Sequence, residues 1–134
     1  MVVAWWILLG MALTAAPQSP AVSGSARREA PYMFVRYCSA CHGAHGQGDG
    51  PAASAFQPPP ADLTRIRQRH DGFFPAAEVA AAIDGRTAIP AHGSREMPVW
   101  GERFGEMGGG GSVGEEVVRG NLLVLIEYLQ AIQQ

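Results

Sequence analysis

The stretch CSACH, residues 38–42, contains the only two cysteines of this 134-residue chain and ends in a histidine. Apolar residues recur at helical spacing before this stretch and within it, at Ala30, Met33, Phe34, Tyr37 and Cys41. We expect a helix over about residues 27–40, with Pro31 tolerated in its first turn. CSACH therefore closes a helix.

Four interpretations of the cysteine pair are open at this point. A zinc site needs further ligands, and His45, His70 and His92 have no recognisable finger spacing. A redox dithiol lies at the start of a helix that follows a strand, whereas this pair ends a helix. Two buried, unmodified cysteines are the third alternative. The fourth is the C-x-x-C-H attachment signature of c-type haem, which accounts for every feature of the run.

The haem interpretation gives each residue of the motif a role. Cys38 and Cys41 lie on one face of a helical turn, so each sulfur can add to one vinyl group along the same porphyrin edge. His42 follows as the proximal ligand of the iron, held under the ring by two thioether bonds. We therefore expect one covalently attached haem c.

Composition excludes one class of partner. Charged residues make up 16 % of the chain, none of them is lysine, and the formal net charge is −2. Nucleic-acid binding normally leaves a strongly basic face, so nucleic acid is not an expected partner.

The first 26 residues carry no charged side chain, and their apolar part runs from Met1 to about Ala16. This length suits a signal peptide and is short for a membrane span, which needs roughly 20 residues. The basic residue that usually precedes such a region is missing. For 1–26 a cleaved signal peptide is favoured. A membrane anchor that tethers the protein through 1–16 and a buried hydrophobic helix are the alternatives. Export would place the domain, 27–134, in the periplasm or on the outer face of the cytoplasmic membrane.

Glycine, proline and helical periodicity divide the domain. Residues 43–62 are too rich in Gly and Pro for regular structure. Short helices are expected from Asp62 to Arg69 and from Pro75 to Asp84. Residues 86–111 show no sustained periodicity and predict a second long loop. The pattern predicts helices and no strands, and therefore an all-α fold. The two long loops have no apolar core of their own, so we expect them to wrap around a large apolar cofactor.

The final helix is the clearest element. Its apolar stripe consists of Val118, Leu122, Leu125, Leu129 and Ile132. Ser112 and Glu115 predict a capping box at its start. Gly120 in its interior indicates close backbone packing, and the run GGGGS, 108–112, is typical of a flexible spacer.

Further motifs accompany CSACH: GAHGQGDGP (43–51), PPPADLT (58–64), IDGR (83–86), AHGSREMPVWG (91–101) and LVLIEYLQ (123–130). With them the chain resembles the small class I (monohaem) cytochromes c of bacteria over about residues 28–133. The resemblance implies a cytochrome c fold, with about four to five short helices and long loops wrapped around one haem. It also implies that Ala30 and Phe34 cross the last helix at Leu125 and Tyr128.

The sixth iron ligand has several candidates: Met97, Met107, His92, His45 and His70. Met97 is favoured, because Pro98 biases its backbone toward an extended conformation and because MPVWG looks like the family's distal-ligand loop. His92 is the runner-up. Met107 is expected to be a mobile loop residue, and Met33, in the stripe of the first helix, is expected in the core.

The resemblance also concerns the surroundings of the ligands. It implies that the other ring N–H of His42 donates to the carbonyl of Pro51, in the Gly50-Pro51 pair. Trp100 is a candidate for packing on the haem or bonding a propionate, with core packing as an equal alternative. One of the arginines at 65, 67 and 69 is a further candidate for a propionate contact.

Two strong axial ligands leave no open position for a substrate, which favours electron transfer over catalysis. We expect a one-electron carrier, not an enzyme, in a periplasmic respiratory or dehydrogenase-linked chain, with donor and acceptor proteins as partners. The alternative is a haem enzyme, or a gas or redox sensor, in which Met97 does not ligate the iron. A structural subunit stabilised by its haem is the third possibility.

Overall fold

The computed structural model describes residues 24–87 and 97–134. Within these ranges the chain is helical and contains no strand, so the all-α class is confirmed for this part of the protein. The helices are α1 (Gly24–Tyr37), α2 (Ser39–His42), α3 (Ile66–Arg69), α4 (Ala76–Asp84), α5 (Trp100–Met107) and α6 (Gly111–Ala131). Single 3-10 turns cover Ala53–Ala55 and Leu63–Arg65.

The N-terminal helix α1 begins at Gly24, a few residues before the expected start of the domain. Residues 1–23, to which most of the signal-peptide or anchor prediction applies, lie outside the described residues. None of the helices in the described ranges has the length and hydropathy needed to cross a bilayer.

The crossing of α1 and α6 forms the centre of the core. Phe34 is 1 % exposed, and its ring centroid lies 4.9 Å from that of Tyr128 on α6. Ala30, one turn earlier on α1, and Leu125 on α6 are also buried. Burying a phenylalanine fully stabilises the fold by about 1.5–3 kcal/mol. The helix crossing implied by the family resemblance is therefore present at Phe34 and Tyr128.

The apolar stripe predicted for the last helix is confirmed. Val118, Leu125 and Leu129 are buried, and Leu122 and Ile132 pack against the same core. The predicted helix ending at Asp84 is also confirmed as α4. Gly85 follows it with a φ of 69°, a left-handed conformation that glycine adopts without strain.

The long loop predicted for 86–111 is wrong in its second half, where α5 forms. Trp100 and Phe104 lie one turn apart on α5, and Phe104 is fully buried against α6. The helix is short and contains one such pair, so its sequence carries too little periodicity to be recognised without the surface of α6. The segment 88–96, which includes His92, lies outside the described residues.

The glycine run is not a loose spacer, because it reverses the chain between α5 and α6. Gly109 and Gly110 have φ values of 84° and 74°, and their N–H groups donate to the carbonyls of Glu106 and Gly105. These bonds satisfy backbone carbonyls at the end of α5, as a helix C-cap does.

The predicted capping box at Ser112 and Glu115 is also wrong. Helix α6 begins at Gly111, with Gly110 at its N-cap and no side-chain cap, so both residues lie inside the helix. The Glu115 carboxylate instead accepts a hydrogen bond from Arg86, which also forms a 2.7 Å bond to Asp84. Arg86 thus links the end of α4 to the first turns of α6.

The close backbone approach on α6 occurs at Gly114 and not at Gly120. A Cβ atom on Gly114 would lie 2.7 Å from the carbonyl oxygen of Gly105, whereas a Cβ on Gly120 would meet nothing within 4 Å. Helices α5 and α6 therefore touch through backbone at this pair of glycines.

This difference predicts opposite effects for one substitution at two sites of the same helix. Gly114→Ala should lower the free energy of unfolding by about 1–3 kcal/mol, since overpacking a close contact forces the helices apart. Gly120→Ala, the matched control, should raise it by roughly 0.5–1 kcal/mol, because alanine is the better helix former. Urea denaturation of both variants measures the two effects. Equal effects would show that α5 does not pack on α6 at Gly114.

Candidate functional site

The CSACH motif forms a helical turn of its own directly after α1. The N–H of Cys38 donates to the carbonyl of Phe34 at 2.8 Å, which continues the last turn of α1. The N–H groups of Cys41 and His42 then both donate to the Cys38 carbonyl, at 3.2 and 2.9 Å. Both cysteines and the histidine therefore share one turn, whose position is fixed by the buried Phe34.

The two thiols are free and half-buried. Burial, and to a lesser extent the neighbouring Cys41, raises the pKa of Cys38 to about 12. Cys38 is therefore a protonated thiol at neutral pH. Redox-active C-x-x-C pairs instead have a lowered thiol pKa, so this environment disfavours the redox-dithiol interpretation.

The glycine-rich loop after the motif is bound to the carbonyls of α2. The N–H groups of Gly48, Gly50 and Ala52 donate to the carbonyls of His42, Cys41 and Ala40, which fixes the loop along the turn. A Cβ on Gly50 would lie 2.4 Å from the Ala40 oxygen, so no other residue fits there without a shift. The glycines of this motif therefore allow a close backbone approach to α2.

A second segment, residues 60–63, lies on this loop and reaches the histidine. The N–H of Leu63 donates to the carbonyl of Gly46 at 2.6 Å. Nδ1 of His42 lies 3.0 Å from the carbonyl oxygen of Ala61. A carbonyl only accepts, so Nδ1 carries the proton and Nε2 has the free lone pair that binds a metal.

The acceptor predicted for this ring N–H was wrong. The resemblance implied the carbonyl of Pro51, but the structure shows that of Ala61. The physical reason is that residues 60–63 pack closely on the glycine-rich loop, since a Cβ on Gly48 would lie 2.4 Å from the Pro60 oxygen. This packing brings the carbonyl of Ala61 within hydrogen-bond distance of the His42 ring. One residue of the motif PPPADLT could have indicated this acceptor. Asp62 caps the turn that follows and so fixes the backbone at Ala61.

The imidazole of His42 is in the protonation state that a metal ligand requires. Burial lowers its pKa, and the hydrogen bond to Ala61 offsets only part of this effect. At neutral pH the ring is therefore neutral, with Nδ1 donating to the Ala61 carbonyl and Nε2 carrying the lone pair.

The structure describes four of the candidate distal ligands, Met97, Met107, His45 and His70, and all four are exposed. Met97 is 37 % exposed and precedes α5, and Val99, two residues later, lies against Gly85 at the end of α4. Met107 is not the loop residue that the sequence predicts, because it is the last residue of α5, where it is 59 % exposed. Met33 packs on the core, as predicted. Assignment of Met97 as the distal ligand stays a prediction.

Trp100 belongs to an aromatic cluster. Its ring lies 5.4 Å from Phe104 in a stacked arrangement and 5.4 Å from Tyr37 edge-on, and it is 8 % exposed. Core packing is thus established for Trp100, while contact with a haem stays a prediction. The arginines at 65, 67 and 69 are exposed, and Arg65 lies 3.4 Å from Asp62.

The donor set of this turn fits a covalently held porphyrin better than a zinc ion. The described ranges contain no cluster of three or more His, Cys, Asp or Glu side chains that could hold a metal ion. The CSACH turn supplies two half-buried free thiols and one neutral imidazole whose Nε2 carries a lone pair. Two thioether bonds and one axial bond need these groups and no others.

Comparison with family models, with curated proteins and with solved structures gives no match for this chain. The likeness to class I cytochromes c therefore rests on the motifs in the sequence.

Acid should loosen the turn that positions Ala61. The hydroxyl and N–H of Thr64 donate to Oδ1 of Asp62 at 2.6 and 2.9 Å. The hydroxyl bond is the main cause that lowers the pKa of Asp62 below its ordinary 3.8. The stabilisation is therefore complete above pH 3.8 and is lost as pH falls through the lower folded-state value.

The test is urea denaturation at a series of acidic pH values. Asp62→Asn should flatten the loss of stability below pH 3.8, and Thr64→Val should give an intermediate slope. Asp84, whose pKa is lowered chiefly by its bond to Arg86, accounts for part of the remaining slope. An unchanged pH profile in Asp62→Asn would show that this turn does not contribute.

Proposed function

We propose that this chain is a one-electron carrier with a single c-type haem, attached through Cys38 and Cys41 and ligated by His42. The observation that carries the proposal is the environment of His42. Its Nδ1–H is bound to the Ala61 carbonyl, its ring is neutral with the lone pair on Nε2, and it shares one helical turn with two half-buried free thiols. This tautomer leaves the lone pair of Nε2 available for an axial bond to iron, as the proposal requires.

When bound, the haem supplies an iron that is oxidised and reduced by one electron, which no amino-acid side chain here does. The residues of the chain hold and tune it. Cys38 and Cys41 prevent its loss, and the Ala61 carbonyl orients His42 and raises the basicity of its free nitrogen. Met97 is proposed as the distal ligand, because a thioether favours the reduced iron and raises the reduction potential.

We also propose that the protein is exported and works in the periplasm or on the outer face of the cytoplasmic membrane. A covalent cofactor suits this location, since it cannot be lost to the surroundings. The apolar stretch 1–16 then serves as a signal peptide or as a tether. The partners are a donor and an acceptor protein of a respiratory or dehydrogenase-linked chain.

A second candidate function follows if Met97 does not ligate the iron. The side chain of Met97 is 37 % exposed in the structure, and an open distal position would bind peroxide, NO or CO. That protein would be a haem enzyme or a gas sensor. The two functions differ in whether a strong sixth ligand is present in the purified protein.

An optical redox titration with a methionine variant separates them. Met97→Ala should lower the reduction potential by roughly 0.1–0.3 V and abolish the thioether–iron charge-transfer band, since axial ligation tunes the potential over about 0.8 V. Met107→Ala is the matched control and should change neither quantity, because Met107 lies exposed at the far end of α5.

Carbon monoxide provides the second readout. The unmodified reduced protein should bind CO slowly and incompletely, and Met97→Ala should bind it rapidly. Rapid, complete binding by the unmodified protein would favour the sensor or enzyme and would overturn the carrier proposal.

A further inference from the structure

A cleft of about 390 Å³ opens on the surface where the end of α1 meets α5. It is lined by Arg36, Tyr37, Trp100, Arg103, Glu106 and Met107. None of these six residues is among the proposed attachment and ligand residues Cys38, Cys41, His42 and Met97.

The floor of the cleft is aromatic and rigid. Tyr37 and Trp100 meet edge-on, with ring centroids 5.4 Å apart. Phe104, which is fully buried, supports both rings from below, at 5.7 Å from Tyr37 and 5.4 Å from Trp100. Rings locked in this way form a preorganised contact surface, which lowers the entropy lost on binding.

The rim of the cleft is positively charged. The guanidinium of Arg36 lies 5.8 Å from the centroid of the Tyr37 ring, and that of Arg103 lies 5.6 Å from that of Trp100. In the described ranges the ion pairs of arginines involve Arg65 and Arg86, not these two. With Glu106 as the one acidic lining residue, two cations face one anion. The local charge is thus opposite in sign to the net charge of −2 of the whole chain.

The cleft also adjoins both segments proposed to hold the haem. Tyr37 directly precedes Cys38, and Trp100 is the third residue after Met97. The contact between the two rings therefore joins the attachment turn to the segment after the proposed distal ligand. A partner seated on these rings would lie next to the turn that carries Cys38.

We propose that this cleft is the docking site of a redox-partner protein with an acidic surface. The proposal rests on the carrier function and names the face through which the electron passes. Arg, Trp and Tyr are the residues most enriched among interface hot spots, and methionine and aromatic residues are enriched in interfaces generally. Electron-transfer complexes are small and transient, so a few such residues suffice. Guanidinium groups on the rim attract carboxylates and steer the encounter.

The test measures electron exchange between the holoprotein and small charged oxidants by stopped-flow spectroscopy at low ionic strength. Ferricyanide stands in for an acidic partner, and tris(phenanthroline)cobalt(III) serves as the cationic counterpart. In each reaction one electron leaves the reduced protein and reduces the oxidant, with no bond broken and no proton moved. Arg119→Gln is the control, because it removes the same charge from an exposed position on α6 outside the cleft.

Arg36→Gln and Arg103→Gln should each slow the reaction with ferricyanide about threefold and accelerate the reaction with the cobalt complex, because charges within a Debye length of roughly 10 Å dominate steering. Arg119→Gln should change both rates far less. Glu106→Gln should act in the opposite direction and accelerate the reaction with ferricyanide. This variant keeps both cation–aromatic contacts and so tests the inference even if an arginine variant folds poorly.

Unchanged rates in all three cleft variants, or an equal effect of Arg119→Gln, would overturn the docking inference and leave the carrier function standing. A protein that exchanges no electron with either oxidant would instead overturn the carrier function itself.

Discussion

The packing of Phe34 against Tyr128 is the contact on which the rest of the structure depends. It fixes the angle at which α1 meets α6, and the carbonyl of Phe34 then accepts the N–H of Cys38. The turn that carries both cysteines and His42 is thereby continuous with the most buried part of the core. On a free loop, the positions of the two thiols would not be fixed. Here they are fixed, because the turn that carries them is hydrogen-bonded to the end of α1 at the helix crossing. The aromatic residue that follows Phe34 by three, Tyr37, extends the same cluster to Trp100 and so joins the core to the surface cleft.

A second constraint, the hydrogen bonding of two loop segments to α2, fixes the orientation of the His42 ring. Two loop segments, 43–52 and 60–63, are bound in sequence onto α2, and the outer one presents the Ala61 carbonyl to Nδ1. Glycine is needed where these backbones touch, which explains its density in a region without regular structure. The combined result is a neutral imidazole in a fixed tautomer, and this is the feature that supports the proposed attachment of a haem at the cysteine pair.

Elements held together by residues close in the chain could be predicted from the sequence, whereas elements that depend on distant contacts could not. The stripes of α1 and α6, and the end of α4 before Gly85, depend on neighbours in the chain and are readable from periodicity. Helix α5 is not predicted from the sequence, because it has one buried pair, Trp100 and Phe104. Two apolar residues one turn apart do not indicate a helix until the surface of α6 on which they pack is known. Ser112 and Glu115 matched a capping pattern, but the glycine turn starts the helix earlier and Glu115 binds Arg86. The carbonyl that accepts the ring N–H of His42 is wrongly predicted for the same reason. It is decided by the contact between the loop segments 43–52 and 60–63, which are distant from each other in the chain. The roles of Cys38, Cys41 and Met97 remain predictions from the motifs.

The most direct test of the account is acid–acetone extraction of the purified chain after expression with a haem-maturation system. If sulfur joins the porphyrin to the polypeptide, the red pigment stays with the precipitated protein, and the Cys38→Ala/Cys41→Ala variant releases it or lacks it. Pigment that moves into the acetone phase from the unmodified chain, or a colourless protein, would contradict the account.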